Sequence, residues 1–365
     1  MKIYIGAETI ISPLGNTAEE NFASLSQNIS GIKKFELPGP DSYRDEKGIY
    51  LSKLIDVTND NLYDTLLNKN LDSVKTKISS DIFSSNKTLF ILSTTKGDMK
   101  RDIVDTIGKS VQNLQKSFSL QNAPLVVSNA CASGVIAINT AAKYIKAGLY
   151  DNVVVIGCDI ISDFVLYGFQ SLFAISDKPC APFDKDRTGI TLGEACAVIV
   201  LSNNKTIFKE TTIQYVEGTS SNDANHISGP SRTGEGLYRT VKNTLELAGI
   251  SKDDIDFISA HGTATMYNDD MEAMAFDRLQ MNAIPVNSLK GYFGHTLGTA
   301  GVLETAICLQ SMRNNTLIKS FGFNEDGTVK KVNVITKNKF AKINTVLKTS
   351  SGFGGCNASL LLKKT

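Results

Sequence analysis

Three side chains in this 365-residue sequence have the types and settings for nucleophilic chemistry at a carbonyl: Cys131, His261 and His295. Cys131 follows the run Val126-Val127-Ser128-Asn129-Ala130. After it come the small residues Ala132, Ser133 and Gly134 and a helix-compatible segment from Val135 to Gly148. The thiol is thereby placed at a strand-to-helix turn, where unpaired N–H groups and the positive end of the helix dipole favour a thiolate. A buried structural cysteine is the commonest fate of a free thiol, and this stretch alone does not separate the two. The sequence holds three histidines. His261 sits in His261-Gly262-Thr263-Ala264-Thr265, and His295 in Lys290-Gly291-Tyr292-Phe293-Gly294-His295-Thr296-Leu297-Gly298. Both settings are small-residue turns suited to a ligand rather than to an apolar core. His226 reads as a structural loop residue.

A cysteine with two imidazoles and no carboxylate orienter suits a particular task. The sulfur can hold an acyl group as a thioester, while two neutral imidazoles donate N–H bonds to a carbonyl oxygen on which charge develops. That set favours an enolate beside an acyl-enzyme, hence carbon–carbon bond formation. Hydrolysis would instead need a positioned water and a general base. Gly352-Phe353-Gly354-Gly355 offers backbone N–H groups for a second oxyanion site; losing one such donor typically costs about 10²–10³ in rate.

The elements around these residues alternate. Strands are expected at Lys2–Gly6 with Thr9–Ser12, Lys87–Ser93, Pro124–Asn129 and Asn152–Cys158, and a hairpin or two short strands within Arg187–Leu201. Helices are expected from Thr17, over Asp72–Ser85, Met99–Ser117 and Val135–Gly148, with a helix or loop at Phe164–Ser176. Residues Pro38–Asn61 read as a surface excursion. The second half repeats the scheme: strands near Ile213–Glu217, Asp256–Ser259, Ile284–Asn287, Thr345–Ser350 and Ala358–Leu362, and helices at Thr233–Ala248, Met271–Leu279 and Leu297–Met312. This is an α/β pattern with parallel crossovers in two comparable halves, divided as 1–205 and 206–365.

Bulk properties exclude several classes. A formal net charge of +1 gives no global field for nucleic acid or anionic membrane. The six cysteines form no CxxC pair and no zinc-like spacing, so reduced thiols and no metal are expected. The N-terminal Met1-Lys2-Ile3-Tyr4-Ile5-Gly6 lacks a signal-peptide core and no apolar run reaches membrane-spanning length, so a soluble cytoplasmic protein is expected.

Five segments, in order, resemble the β-ketoacyl-(acyl carrier protein) synthases of the thiolase fold. They are Asn129-Ala130-Cys131-Ala132-Ser133-Gly134; Pro182-Phe183-Asp184-Lys185-Asp186-Arg187 with Gly193-Glu194; His261 to Thr265 with Asp269 and Glu272; Lys290 with Gly294-His295 and Glu304; and Gly352 to Ala358. The resemblance implies two pseudo-symmetric α/β halves in an α-β-α-β-α layering, the first with the nucleophile and the second with both histidines. It further implies that Cys131 accepts the acyl chain, with its carbonyl oxygen held by the N–H groups of Cys131 and Phe353. His261 and His295 would bind the malonyl thioester, promote loss of CO₂ and stabilise the enolate. Lys290 and Glu304 would form a supporting ion pair, Thr263 and Thr265 would bind the phosphopantetheine arm, and Phe353, flanked by Gly352 and Gly354, would act as a gate. No bound cofactor is implied, because phosphopantetheine arrives on the acyl carrier protein. A homodimer is expected, with the nucleophile strand near the two-fold axis; a heterodimer with a second ketosynthase-like subunit stays open.

The chain departs from the family pattern in places. It is shorter between Gly97-Asp98-Met99 and Cys131 and between Leu201 and Tyr215. Met266, Ser351 and Cys356 replace a usual proline, phenylalanine and threonine. These changes leave chain length, acyl type and partner open and suit polyene or polyketide-like synthesis as well as fatty acid synthesis. The alternatives are a non-catalytic, chain-length-determining partner subunit, which usually lacks the nucleophile, and a degradative thiolase, which uses a second cysteine as base. A docking patch for an acidic carrier is placed at Lys96, Lys100 and Arg101.

Overall fold

The structure, a computed structural model, describes residues 1–36, 48–54, 61–99, 104–223 and 229–365. The first half opens with β1 (Ile3–Ile11), α1 (Ala18–Ser26), β2 (Lys33–Phe35), β3 (Ile49–Ser52), α2 (Leu62–Lys75) and β4 (Thr88–Ser93). It continues with α3 (Thr106–Ser117), β5 (Leu125–Val127), α4 (Ser133–Lys146), β6 (Asn152–Asp159), α5 (Asp163–Ser171), β7 (Leu192–Gly193) and β8 (Ala195–Ser202). The second half begins with β9 (Ile213–Asn222), α6 (Glu235–Ala248), β10 (Phe257–Ser259), α7 (Met266–Arg278), β11 (Val286–Asn287) and α8 (Lys290–Phe293). It ends with α9 (Ala300–Asn314), β12 (Thr316–Leu317), β13 (Lys339–Phe340), β14 (Thr345–Gly352) and β15 (Cys356–Lys364).

Ten strands share one hydrogen-bonded order, β11-β10-β14-β15-β9-β1-β8-β6-β4-β5. Read outward from the β1–β9 junction, each side places its first, fifth, fourth, second and third strand in the same sequence. The duplication expected from the alternation of elements is therefore a repeat of topology. The outer three strands on each side are parallel, but the ladders nearer the junction are antiparallel. The sheet is thus mixed rather than built on parallel crossovers alone; the short glycine turn between β14 and β15 permits only an antiparallel return.

Strand parity sorts the apolar side chains into layers. On β8, Ala195, Ala197, Ile199 and Leu201 face an inner cluster, while Cys196, Val198 and Val200 face outward to α2 and α3. On β14 and β15, Val346, Leu360 and Leu362 face inward, and Leu347 and Leu361 meet α6 and α7. The inner cluster is filled by α4 and α9, and α9 is buried continuously from Ala300 to Met312. A helix with no polar face belongs in the middle of a fold, which gives the expected α-β-α-β-α layering.

The two central helices meet at paired glycines. A Cβ on Gly134 would lie 2.6 Å from the Val302 amide nitrogen, and one on Gly301 would lie 2.5 Å from that of Val135. Both obstacles are backbone, so neither can turn aside. Gly134→Val is therefore expected to lower unfolding stability by about 2–3 kcal/mol, read as a lower urea midpoint at unchanged m-value.

Some elements fall elsewhere than expected. The helix placed at Asp72–Ser85 is α2, whose buried stripe Leu62, Leu66, Leu67, Leu71 and Val74 sets its position; it stops at Lys75. Polar composition drew the reading too late, and Asp81 instead caps a turn through the Phe83 amide and the Ser84 hydroxyl. Within Arg187–Leu201 the two strands belong to different sheets, β7 beside β3 and β8 between β1 and β6. The Pro38–Asn61 excursion contains β3, and most of its remainder lies outside the described residues.

Candidate active site

Cys131 stands where the backbone turns sharply from β5 into α4. Ala130 takes a left-handed φ of 45°, strained for a residue with a Cβ. Ser133 stabilises the turn by accepting from the Asn129 amide at 2.7 Å and donating to the Ala130 carbonyl at 2.6 Å. The Ala132 and Ser133 amides are committed to the Asn129 and Ala130 carbonyls. Burial pushes the Cys131 thiol up to about 11, against the pull of Lys290 and Lys96. The expectation of a resting thiolate at the helix start is thereby corrected: two of the turn's N–H groups are already engaged, and desolvation outweighs the pull of Lys290 and Lys96.

His295 occupies the matching place in the second half, between the third strand β11 and the central helix α9. Its Nε2 lies 3.0 Å from the Cys131 sulfur, and its Nδ1 accepts the Leu297 amide at 3.3 Å. His261 leaves the end of β10, with Nδ1 at 3.3 Å from the Lys290 ammonium. Ammonium and amide nitrogens can only donate, so both rings carry their proton on Nε2. Burial first, and then Lys290, hold both imidazoles well below the usual histidine range; His295 and Lys348 add to this at His261, and Lys96 at His295. The ring centroids are 5.3 Å apart at 80°. The site thus presents two neutral N–H donors beside a buried thiol.

The His261 turn is held from below by α7. Glu272 accepts the His261 and Gly262 amides at 2.8 and 2.6 Å, and Asp269 accepts those of Thr263 and Ala264 at 2.9 and 3.1 Å. Burial and the neighbouring Asp269 push Glu272 up to about 7, opposed by the Gly262 and His261 amides. Lys290 pairs with Glu304 at 2.8 Å. A second buried lysine, Lys348 on β14, meets the other oxygen of Glu304 at 2.6 Å. The sequence reading missed Lys348; the available signal was a lone charge in the apolar strand Val346-Leu347-Lys348-Thr349.

Cys131, His261, His295, Thr263, Thr265 and Phe353 line one cavity of about 410 Å³. The Thr263 and Thr265 hydroxyls lie 2.9 Å apart. Phe353 stacks on Phe169 of α5 at 5.7 Å, and its amide acts on the Cys131 thiol against the effect of burial. Gly352 lies so near the nucleophile that a Cβ there would be 3.0 Å from the Cys131 amide, and Gly354 turns the loop at a φ of 82°. Lys96, expected in a docking patch, is half-buried and directs its charge at Cys131 and His295. Lys100, Arg101 and His226 lie outside the described residues. The sulfur and one nitrogen of each ring lie within 4.8 Å of one another, but Nδ1 of each ring already faces a donor and Nε2 carries the proton, so neither ring offers a free lone pair. The donor set fits hydrogen bonding to an oxyanion better than coordination.

Fold and site together define a thiolase-fold protein with one cysteine and two histidines at the junction of its halves. The family models for the N-terminal and C-terminal domains of beta-ketoacyl synthases match residues 113–206 and 213–324, and the chain belongs to the β-ketoacyl synthase family. The 3-oxoacyl-(acyl-carrier-protein) synthase 2 of Rhizobium meliloti (strain 1021) is 34% identical over 253 residues, 65% of this chain and 60% of that one. Matches to the first curated relatives span 60% to 63% of their length. The ishigamide ketosynthase/chain length factor structure covers 100% of this chain and 99% of its own, with a TM-score of 0.89 at 22% identity. A Xenorhabdus doucetiae ketosynthase in complex with its chain length factor covers 100% and 98%, with a TM-score of 0.85 at 25% identity. Among the described residues, no helix is long and apolar enough to cross a membrane.

Proposed function

We propose that this chain is a β-ketoacyl-(acyl carrier protein) synthase, joining an acyl thioester to a malonyl thioester with loss of CO₂. The observation that carries the reading is two neutral imidazoles, their Nδ1 atoms facing Lys290 and the Leu297 amide, with one nitrogen of each ring within 4.8 Å of the Cys131 sulfur and His295 Nε2 at 3.0 Å from it. In the first step the Cys131 sulfur attacks the acyl-carrier thioester, with the carbonyl oxygen facing the Cys131 and Phe353 amides. The C–S bond to the pantetheine breaks, and the thiol proton goes to the departing sulfur. The exchange is proton-neutral overall, so a thiol near 11 is tolerable.

In the second step the malonyl thioester oxygen accepts from His261 and His295. The bond to the carboxylate breaks, CO₂ leaves, and its electron pair becomes the enolate. The enolate carbon then attacks the Cys131 thioester, the C–S bond breaks to release the sulfur as a thiolate, and the thiolate takes one proton from solvent water to restore the thiol. Lys290 and Glu304 position His261, Thr263 and Thr265 hold the pantetheine arm, and Phe353 with Gly352 and Gly354 gates the acyl side. Incubation with acyl- and malonyl-carriers should yield a β-ketoacyl-carrier two carbons longer, with one CO₂ per product. Release of CO₂ without that product would overturn the condensation.

The acyl group belongs to fatty acid or polyene- and polyketide-type synthesis; the stacked Phe169–Phe353 pair suits a flat, unsaturated chain. The partners are acyl- and malonyl-loaded carrier protein and a second subunit. That subunit is another copy or a ketosynthase-like chain, added beside β5, the last strand of the order, whose residues are half-buried. The intact Cys131, His261 and His295 favour catalysis over a chain-length-determining role. A division at 205/206 and a cytoplasmic site of action complete the proposal.

A further inference from the structure

Among the buried charges beneath the cavity that have no part in the scheme above is Lys348. Lys348 is fully buried on β14, and its ammonium donates to the Thr349 carbonyl at 2.7 Å and to those of Ser259 and Ala260 at 3.3 Å each. Its remaining neighbour is Glu304 Oε2 at 2.6 Å. Lys290 takes the other Glu304 oxygen and the His261 carbonyl. The two ammonium groups therefore secure three consecutive carbonyls, Ser259, Ala260 and His261, at the point where β10 releases the catalytic-site turn. β14 runs parallel to β10 with Lys348 opposite Ser259, so the side chain is aimed by strand register and not by loop conformation.

One lysine already neutralises Glu304. A second buried cation is costly unless it is compensated; here its hydrogen bonds go to three backbone carbonyls, and Glu304 Oε2, which has no hydrogen-bond partner among the described residues, is met through charge at 2.6 Å. Two ammonium groups against one carboxylate leave an excess positive charge behind His261. We infer that Lys348 is a positioning residue for decarboxylation: through Glu304 and the Ser259 and Ala260 carbonyls it fixes the His261 turn and keeps the ring an uncharged Nε2–H donor. The inference rests on the proposed condensation for its kinetic arm but not for its spectroscopic one. Burial pushes Glu304 upward, yet Lys290 and Lys348 hold it below the usual carboxylate range, in keeping with both contacts. The other titratable or charged groups near the turn are Glu272 and Asp269 on α7, Lys290 on α8, Cys308 and Glu304 on α9, His295, and Cys131 before α4.

The test compares the full chain with Lys348→Gln, Lys348→Met and Lys348→Arg. With three histidines in the sequence, ¹⁵N-imidazole spectra can follow His261 directly and apart from the Glu272 titration. In the wild type and the arginine variant His261 should stay neutral, with its proton on Nε2, through the acid range in which the fold survives. In the glutamine and methionine variants it should become protonated within that range, at least about one pH unit above its acid end. Malonyl-carrier decarboxylation should fall about 10–100-fold in kcat with KM within about twofold, and its acid limb should move the same way. Cys131 acylation should stay within about twofold. Unchanged His261 titration in the neutral variants overturns the inference, as does a lower rate with an unmoved acid limb, which marks a merely structural lysine. If Lys348→Met does not fold, the glutamine variant, which keeps a donor toward the Thr349 carbonyl, decides; if neither folds, titration of His261 in the arginine variant at a pH above that of the wild type overturns it. A wild type inactive toward malonyl-carrier, with the His261 titrations as expected, sinks the proposed function and leaves the role of Lys348 standing.

Discussion

Cys131→Ala is expected to abolish transfer of an acyl group from a carrier to the protein, with condensation falling by at least about 10⁴. Intact-mass and peptide mass spectrometry after incubation with acyl-carrier should find the acyl mass on the Cys131 peptide of the wild type and nowhere in the variant. The expectation follows from location rather than from the presence of a thiol. Cys158, Cys180, Cys196 and Cys308 are buried away from the cavity lining, and Cys356 donates to the Asn129 side chain. Cys131 alone among them lines the cavity, with one imidazole at 3.0 Å. The variant should retain its stability, since alanine adds no atom to the crowded α4–α9 crossing. It should also retain malonyl decarboxylation, because His261 and His295 keep their Nδ1 partners without the sulfur. Acylation of another cysteine, at the wild-type rate, would refute the assignment.

That prediction was open to reading from the sequence because small-residue turns follow their strands closely. The Val126–Gly134 segment declared a strand, a turn and a helix start by composition alone, and the structure puts β5, the Ala130 elbow and α4 there. The two histidine turns were legible for the same reason. What local pattern could not supply was anything set by remote neighbours. The β1–β9 junction pairs Ile3–Ile5 with Ile213–Tyr215, the first strands of the two halves, so their common strand order was invisible until the ladders were assembled. The thiol's ionisation was misread because the helix start is a local feature and desolvation is not. Lys348 escaped notice because a lysine within a strand ordinarily faces solvent; only the packing of α9 across β14 gives it a carboxylate. The resemblance, and not spacing, suggested the pairing of Lys290 with Glu304, which the structure realises at 2.8 Å.

His295→Ala separates two roles that a histidine near a cysteine can play. If His295 were the base that deprotonates Cys131, its loss would stop acylation. The ring cannot serve in that way here: Leu297 donates to Nδ1, the proton sits on Nε2, and Nε2 faces the sulfur. The variant should therefore accept an acyl group from the carrier within about tenfold of the wild-type rate. It should lose about 10²–10³ in malonyl decarboxylation and in condensation, the usual effect of removing one oxyanion donor. His295→Gln keeps an N–H donor and should retain more of both than alanine does. The pH dependence carries the same sign. Burial and Lys290 hold both imidazoles well below their ordinary range, so they are neutral donors at pH 7. Acid must protonate Nδ1 against the Lys290 ammonium or the Leu297 amide before the arrangement is disturbed. Wild-type decarboxylation should accordingly stay flat as pH falls through 6.5, the ordinary histidine value, and decline only well below it. A rate that halves near that value would mean imidazoles free to charge. Acylation lost along with decarboxylation in His295→Ala would make His295 the base and overturn the division of labour between the sulfur and the two rings.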